Sequence, residues 1–241
     1  MAASNDSRLA RWPLAMRVTW RRVLWLSWSV DPGRLAAGWS RELGGEMFEP
    51  TGAVWVVLGE TRRRARPTSG AGAGAGSVGR SSGAAAAVLV GGVWCGEPMG
   101  WLADVRGLGG WRGRRAAAAG WPCRQGELSL ARDTRGYLHG LVRGVGEADA
   151  AMTLAVRARP VGGGGEETGG AGDHGMRLAW TGRDNAGVRL GLAIDLVGER
   201  PAEAEVHACD VSGLLNVRLD ESSATAGWAD EARLRGVDGG G

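Results

Sequence analysis

Val188-Arg189-Leu190-Gly191-Leu192-Ala193-Ile194-Asp195-Leu196-Val197 places an apolar side chain at every second position. Successive side chains of an extended chain point to opposite faces. Val188, Leu190, Leu192, Ile194 and Leu196 therefore share one face, and the stretch reads as a half-buried β-strand. The same period recurs on either side. Met152, Leu154, Val156 and Ala158 alternate with Thr153, Ala155, Arg157 and Arg159. Ala202, Ala204, Val206 and Ala208 alternate with Glu203, Glu205, His207 and Cys209. Leu215, Val217 and Leu219 alternate with Asn216, Arg218 and Asp220. Weaker strands are expected at 127–132, 137–143 and 176–180. Turn-forming residues separate the runs, among them Gly162–Gly165, Arg183-Asp184-Asn185 and Gly198-Glu199-Arg200-Pro201. The expected fold is a β-rich C-terminal part over 127–220, an antiparallel meander closing into a small sandwich or barrel. Residues 221–241 read as a disordered tail.

Upstream, the expectation is a mostly irregular N-terminal part. Residues 1–66 form a basic Trp/Arg-rich segment. Within it Leu9, Trp12, Met16, Trp20 and Val23 recur at three- and four-residue steps, with Arg8, Arg11 and Arg22 off that stripe. This predicts an amphipathic helix over 8–30, weakened by Pro13. Val54-Trp55-Val56-Val57-Leu58 reads as a short buried strand. Residues 67–126 read as a Gly/Ala/Arg-rich low-complexity region. Its tract from Ser69 to Gly83 reads as a flexible linker, because ordering Gly costs more backbone entropy than ordering any other residue. Periodicity does not decide between helix and strand for Ala84–Val90. Trp94, Trp101, Trp111 and Trp121 are too unevenly spaced to form a repeat.

The composition has a bearing on function. All 29 cationic side chains are Arg, and there is no Lys. One Ile, one Phe and one Tyr stand against 12 Trp and 44 Gly. Gly, Ala, Arg and Pro, whose codons begin with G or C, supply about half the chain. This pattern reads as the product of a GC-rich reading frame with no identifiable activity, and not as an enzyme. Residues 1–145 hold 20 Arg and 10 acids, and residues 146–241 hold 9 Arg and 16 acids. The basic N-terminal half suggests a second reading, an Arg/Trp-rich module that binds nucleic acid or anionic surfaces. The Arg-rich, acid-poor N-terminus loosely resembles a transit peptide, and no segment reads as transmembrane. Cys95, Cys123 and Cys209 are too widely spaced for a disulfide framework.

The motifs carry little. Gly74-Ala75-Gly76-Ser77-Val78-Gly79 fits a dinucleotide fingerprint, but at this Gly content the spacing arises by chance about once, and no strand precedes it. A phosphate loop of the Walker type needs a Lys. Gly79-Arg80-Ser81-Ser82-Gly83 fits a nucleophile elbow, with Asp195 and His207 following in the order of an esterase. A serine hydrolase using Ser81 is thus a third reading. His207 and Cys209, two apart on a strand, would point the same way and could begin a metal site. His174 and Asp173 fall in a Gly-rich loop. The sequence assigns no catalytic, cofactor-binding or metal-binding residue and calls for no cofactor.

Overall fold

The computed structural model describes residues 18–38, 41–43, 46–61, 83–94, 96–108, 110–118, 120–144, 152–161, 176–181 and 188–236. The strands are β1 (Val18–Ser29), β2 (Arg41–Leu43), β3 (Glu46–Thr61), β4 (Gly83–Trp94), β5 (Glu97–Arg106), β6 (Cys123–Arg124), β7 (Gly126–Arg132), β8 (Leu138–Gly144), β9 (Thr153–Pro160), β10 (Met176–Thr181), β11 (Val188–Val197), β12 (Arg200–Asp210) and β13 (Thr225–Gly236). Three short helices join them: α1 (Pro32–Gly38), α2 (Gly110–Ala118) and α3 (Ser212–Leu215). The strands form one mixed sheet in the order β1-β3-β4-β5-β10-β11-β13-β12-β9-β8-β7, and β13 also pairs with β1. The circuit β1-β3-β4-β5-β10-β11-β13 is therefore a closed seven-stranded barrel. Strands β12, β9, β8 and β7 continue from it as an antiparallel layer against the outer wall.

These features correct the expectation of an irregular N-terminal part. Four long barrel strands come from residues 18–106. Residues 18–29, expected in a helix, form β1, and residues 8–17 lie outside the described residues. The three-residue step from Trp20 to Val23 that suggested a helix is a β-bulge. Trp20 and Arg21 pair with Thr61 and Glu60, but Leu24 pairs with Leu58, and Arg22 takes φ 50°. The extra residue keeps both Trp20 and Val23 on one face.

The low-complexity reading is likewise overturned. Gly83–Trp94 is a fully paired central strand between β3 and β5. Ala and Gly are poor strand formers alone, but pairing on both edges and burial outweigh that preference. The rest of the expected linker, residues 69–82, lies outside the described residues.

The meander expectation fails too. Strand β5 runs parallel to both β10 and β6. Residues 216–220 are not a strand. They follow α3, and Leu215 and Leu219 both pack into the outer core without a strand between them. The expected tail contains β13, which closes the barrel.

Two cores follow from the closure. The inner one draws Val18, Trp20, Val23, Val57, Ala85, Ala87, Leu89, Leu102, Leu178, Ile194, Ala229 and Leu234 from all seven barrel strands. The outer one packs Leu24, Leu26, Val56, Val88 and Trp101 of the barrel wall against Leu138, Leu154 and Val156 of the outer layer. Among the described residues, no helix is long and apolar enough to cross a membrane.

Candidate functional site in the barrel

The inner face is built from large rings set over small residues. Trp25 of β1 lies across Gly227 of β13, where an added Cβ would collide with its ring. Trp55 of β3 lies over Gly91 of β4, where a Cβ would come within 2.6 Å of the ring. Ala85, Ala87 and Ala229 continue the small-residue surface. Ala116 of α2 and Trp121 join this cluster where β5 ends, so the segment after β5 packs across that end of the barrel. The Trp121 amide donates to the Ala116 carbonyl at 2.9 Å, and the Val105 amide donates to the Pro122 carbonyl at 3.0 Å.

An indole N–H is a donor with no acceptor capacity, and a buried one normally has a partner. Trp20 is wholly buried, yet its Nε1 has no hydrogen-bond partner. The Nε1 of Trp25 is buried and without a partner as well. Trp28, on the other face of β1, donates its indole N–H to the Asp220 carbonyl at 2.9 Å. The orphaned donors thus belong to the barrel interior.

The buried charges described lie elsewhere. Asp104, Arg106 and Asp195 are each next in the chain to an inward residue, and Glu60 follows Gly59, which faces Trp20 and Val23, so alternation turns all four outward. Arg106 Nε donates to Asp104 Oδ2 at 2.5 Å, and both side chains are 1% exposed. Arg106 also donates to the Gln125 carbonyl at 3.2 Å, and Arg124 stands 3.7 Å from Asp104 Oδ1. Burial pushes the Asp104 carboxyl above its ordinary range, and the charge of Arg106 opposes the shift. This cluster ties β6 and the start of β7 to β5. Burial, with the charge of Asp104, pushes the Cys123 thiol to about 12. It is not a thiolate nucleophile near neutral pH.

A cleft of about 580 Å³ opens where β1 ends, lined by Trp28, Asp31, Arg34, Arg218 and Asp220 among others. Its charges are exposed, and Arg34 is 86% so. Asp220 accepts from the Ser222 amide and hydroxyl, which hold its carboxyl below the ordinary range. Water screens such groups, so each holds an anion weakly.

Among the residues singled out from sequence, those described do not assemble. Ser81, Gly74–Gly79, Asp173 and His174 lie outside the described residues. Asp195 sits on the barrel's outer face, while His207 is half exposed on β12, a strand not paired with β11. His207 and Cys209 do not share a face. The register of β12 shifts between Val206 and Ala208, which turns Cys209 toward the outer core. No group of three or more His, Cys, Asp or Glu that could hold a metal occurs among the described residues. Sequence reasoning missed Trp20 and Trp25. Reading β1 as a bulged strand would have placed both on one face.

No family model matches the chain, and no curated protein matches it. Solved structures do. The enduracididine biosynthesis enzyme MppR complexed with pyruvate superposes with a TM-score of 0.58 at 15% identity, covering 90% of this chain and 86% of that one. Acetoacetate decarboxylase from Legionella pneumophila superposes with a TM-score of 0.51 at 11% identity, covering 98% and 96%. At such identities the likeness is one of fold, and the chain has an acetoacetate decarboxylase-like fold. The expectation of a chain that is not an enzyme is corrected by this finding. The same architecture, over nine-tenths of the chain or more, carries enzymes.

Proposed function

We propose that the chain is an enzyme of the acetoacetate decarboxylase-like fold that takes a small carbonyl compound inside its barrel and holds it without a covalent link. The observation that carries this reading is the shared barrel, spanning 90% of the chain and 86% of a neighbour described as complexed with pyruvate. The second half of the proposal comes from composition. Covalent activation of a carbonyl as an imine needs a primary amine, ordinarily a lysine desolvated in an apolar pocket. These 241 residues contain no lysine. Arginine does not substitute, because its guanidinium stays protonated and is not a nucleophile. Carbonyl activation here rests on hydrogen bonds to the carbonyl oxygen, which stabilise charge that develops on it.

The test follows carbon-13-labelled pyruvate, acetoacetate and their ethyl esters by NMR in the presence of the protein, with parallel borohydride trapping and intact-mass measurement. The expected result is turnover of at least one probe and no borohydride-fixed adduct. A fixed adduct would overturn the non-covalent reading. Absence of both turnover and binding across the set would overturn the enzyme reading.

A further inference from the structure

The barrel interior carries an inference about what it binds, which rests on the proposal that the ligand sits there. Both indole donors of β1 that face inward, Trp20 Nε1 and Trp25 Nε1, are buried and unpartnered. Leaving such a donor without an acceptor is unfavourable, and native proteins seldom tolerate it. The buried polar side chains described, Glu60, Asp104, Arg106 and Asp195, all turn to the outer face, and the cluster around the two indoles is aliphatic, aromatic and sulfur-containing. It also offers no charge. The described buried cation, Arg106, is turned to the outer face and engaged with Asp104.

We infer that the barrel selects an uncharged carbonyl compound, such as a ketone, ester or lactone, whose acceptor oxygens take the indole N–H groups of Trp20 and Trp25. A carboxylate anion entering the same space would lose its hydration without meeting a cation among the described residues, which is costly. A neutral carbonyl loses far less and gains the two donors that are otherwise unmet. The apolar wall of Val23, Val57, Leu89 and Leu102 suits an alkyl body. The ligand class therefore differs from a free oxo acid while remaining a carbonyl compound.

The experiment uses the full chain labelled with nitrogen-15 at Trp. Indole N–H resonances are assigned from Trp20→Phe and Trp25→Phe spectra, and the protein is titrated with ethyl acetoacetate and, separately, with acetoacetate anion. The ester should move the Trp20 and Trp25 indole resonances in a saturable way, with the anion at least tenfold weaker. Each Phe variant should weaken the ester about tenfold, the loss of roughly one hydrogen bond. Should a variant fail to fold, the wild-type titration decides, with the indole resonances assigned by triple-resonance correlation on carbon-13, nitrogen-15 protein. If the anion binds as tightly as the ester, or saturable binding leaves both resonances unmoved, the inference is wrong while the carbonyl-binding proposal stands. If neither compound binds, the inference is wrong, and the carbonyl-binding proposal is decided by the full set of probes above.

Discussion

Gly227 and the Trp25 ring occupy adjoining space on the barrel's inner face, and a methyl group at 227 would collide with the indole. Gly227→Ala is expected to cost about 1–3 kcal/mol, the usual range for overpacking a core, read as a lower urea midpoint with an unchanged slope. Burial holds both described thiols in the neutral form, with Cys123 and Cys209 each at about 12. In a Cys95→Ser background the native protein should therefore react slowly with a disulfide reagent at pH 8, and quickly once unfolded. Rapid stoichiometric labelling of the native state would contradict their burial. Asp104 gives a pH signature. Its folded carboxyl is raised above the ordinary value, so the native state binds the proton more tightly than the unfolded state. The group therefore contributes stability when protonated, and that contribution falls as pH rises above about 3.8 toward the folded value. Asp104→Asn should remove this slope from urea-derived stability measured between pH 4 and 7.

At the scale of elements, β1 shows what was legible in the sequence and what was not. The strand at Val188–Val197 was plain, because alternation runs unbroken through it and the structure gives the same bounds. β1 was hidden by one inserted residue. With Arg22 in the bulge, inward positions run Val18, Trp20, Val23, Trp25, and the three-residue step mimics a helix. β4 was hidden for another reason. Its alanines and glycines have low strand preference, and they are in place because Trp55 and Phe48 need small surfaces opposite them. The indole site followed β1 into obscurity, since its donors can be grouped only after the bulge is known. Deleting Arg22 would restore a strict period of two and leave Val18, Trp20, Val23 and Trp25 on one face, in regular register with β3. Circular dichroism of the deletion variant should then retain a cooperative melt. Arg22→Gly should melt close to wild type, because glycine accepts φ 50° readily and the lost Arg22–Glu60 pair, with Arg22 half exposed, is worth little.

For the whole molecule, closure of β13 on β1 joins the first and last described strands, with Val18 opposite Leu234 and Ser27 opposite Thr225. The sequence showed strands in the C-terminal half but could not show that their partners lie far upstream. A fragment of residues 127–241 lacks β1, β3, β4 and β5, so it should give no sharp calorimetric transition while the full chain gives one. The Arg-only, Gly-rich composition does not prevent a core. Tryptophans over glycines and alanines line the barrel wall that Ile and Phe would ordinarily line, and they leave donors facing its interior. The measurement that bears most directly on this account is a crystal structure of the full chain grown with ethyl acetoacetate. The account predicts electron density for the ester inside the barrel, its oxygens within hydrogen-bond reach of Trp20 and Trp25 Nε1, with no bond to the protein. Density confined to the cleft beside Arg218, with the barrel closed to the ester, would contradict it.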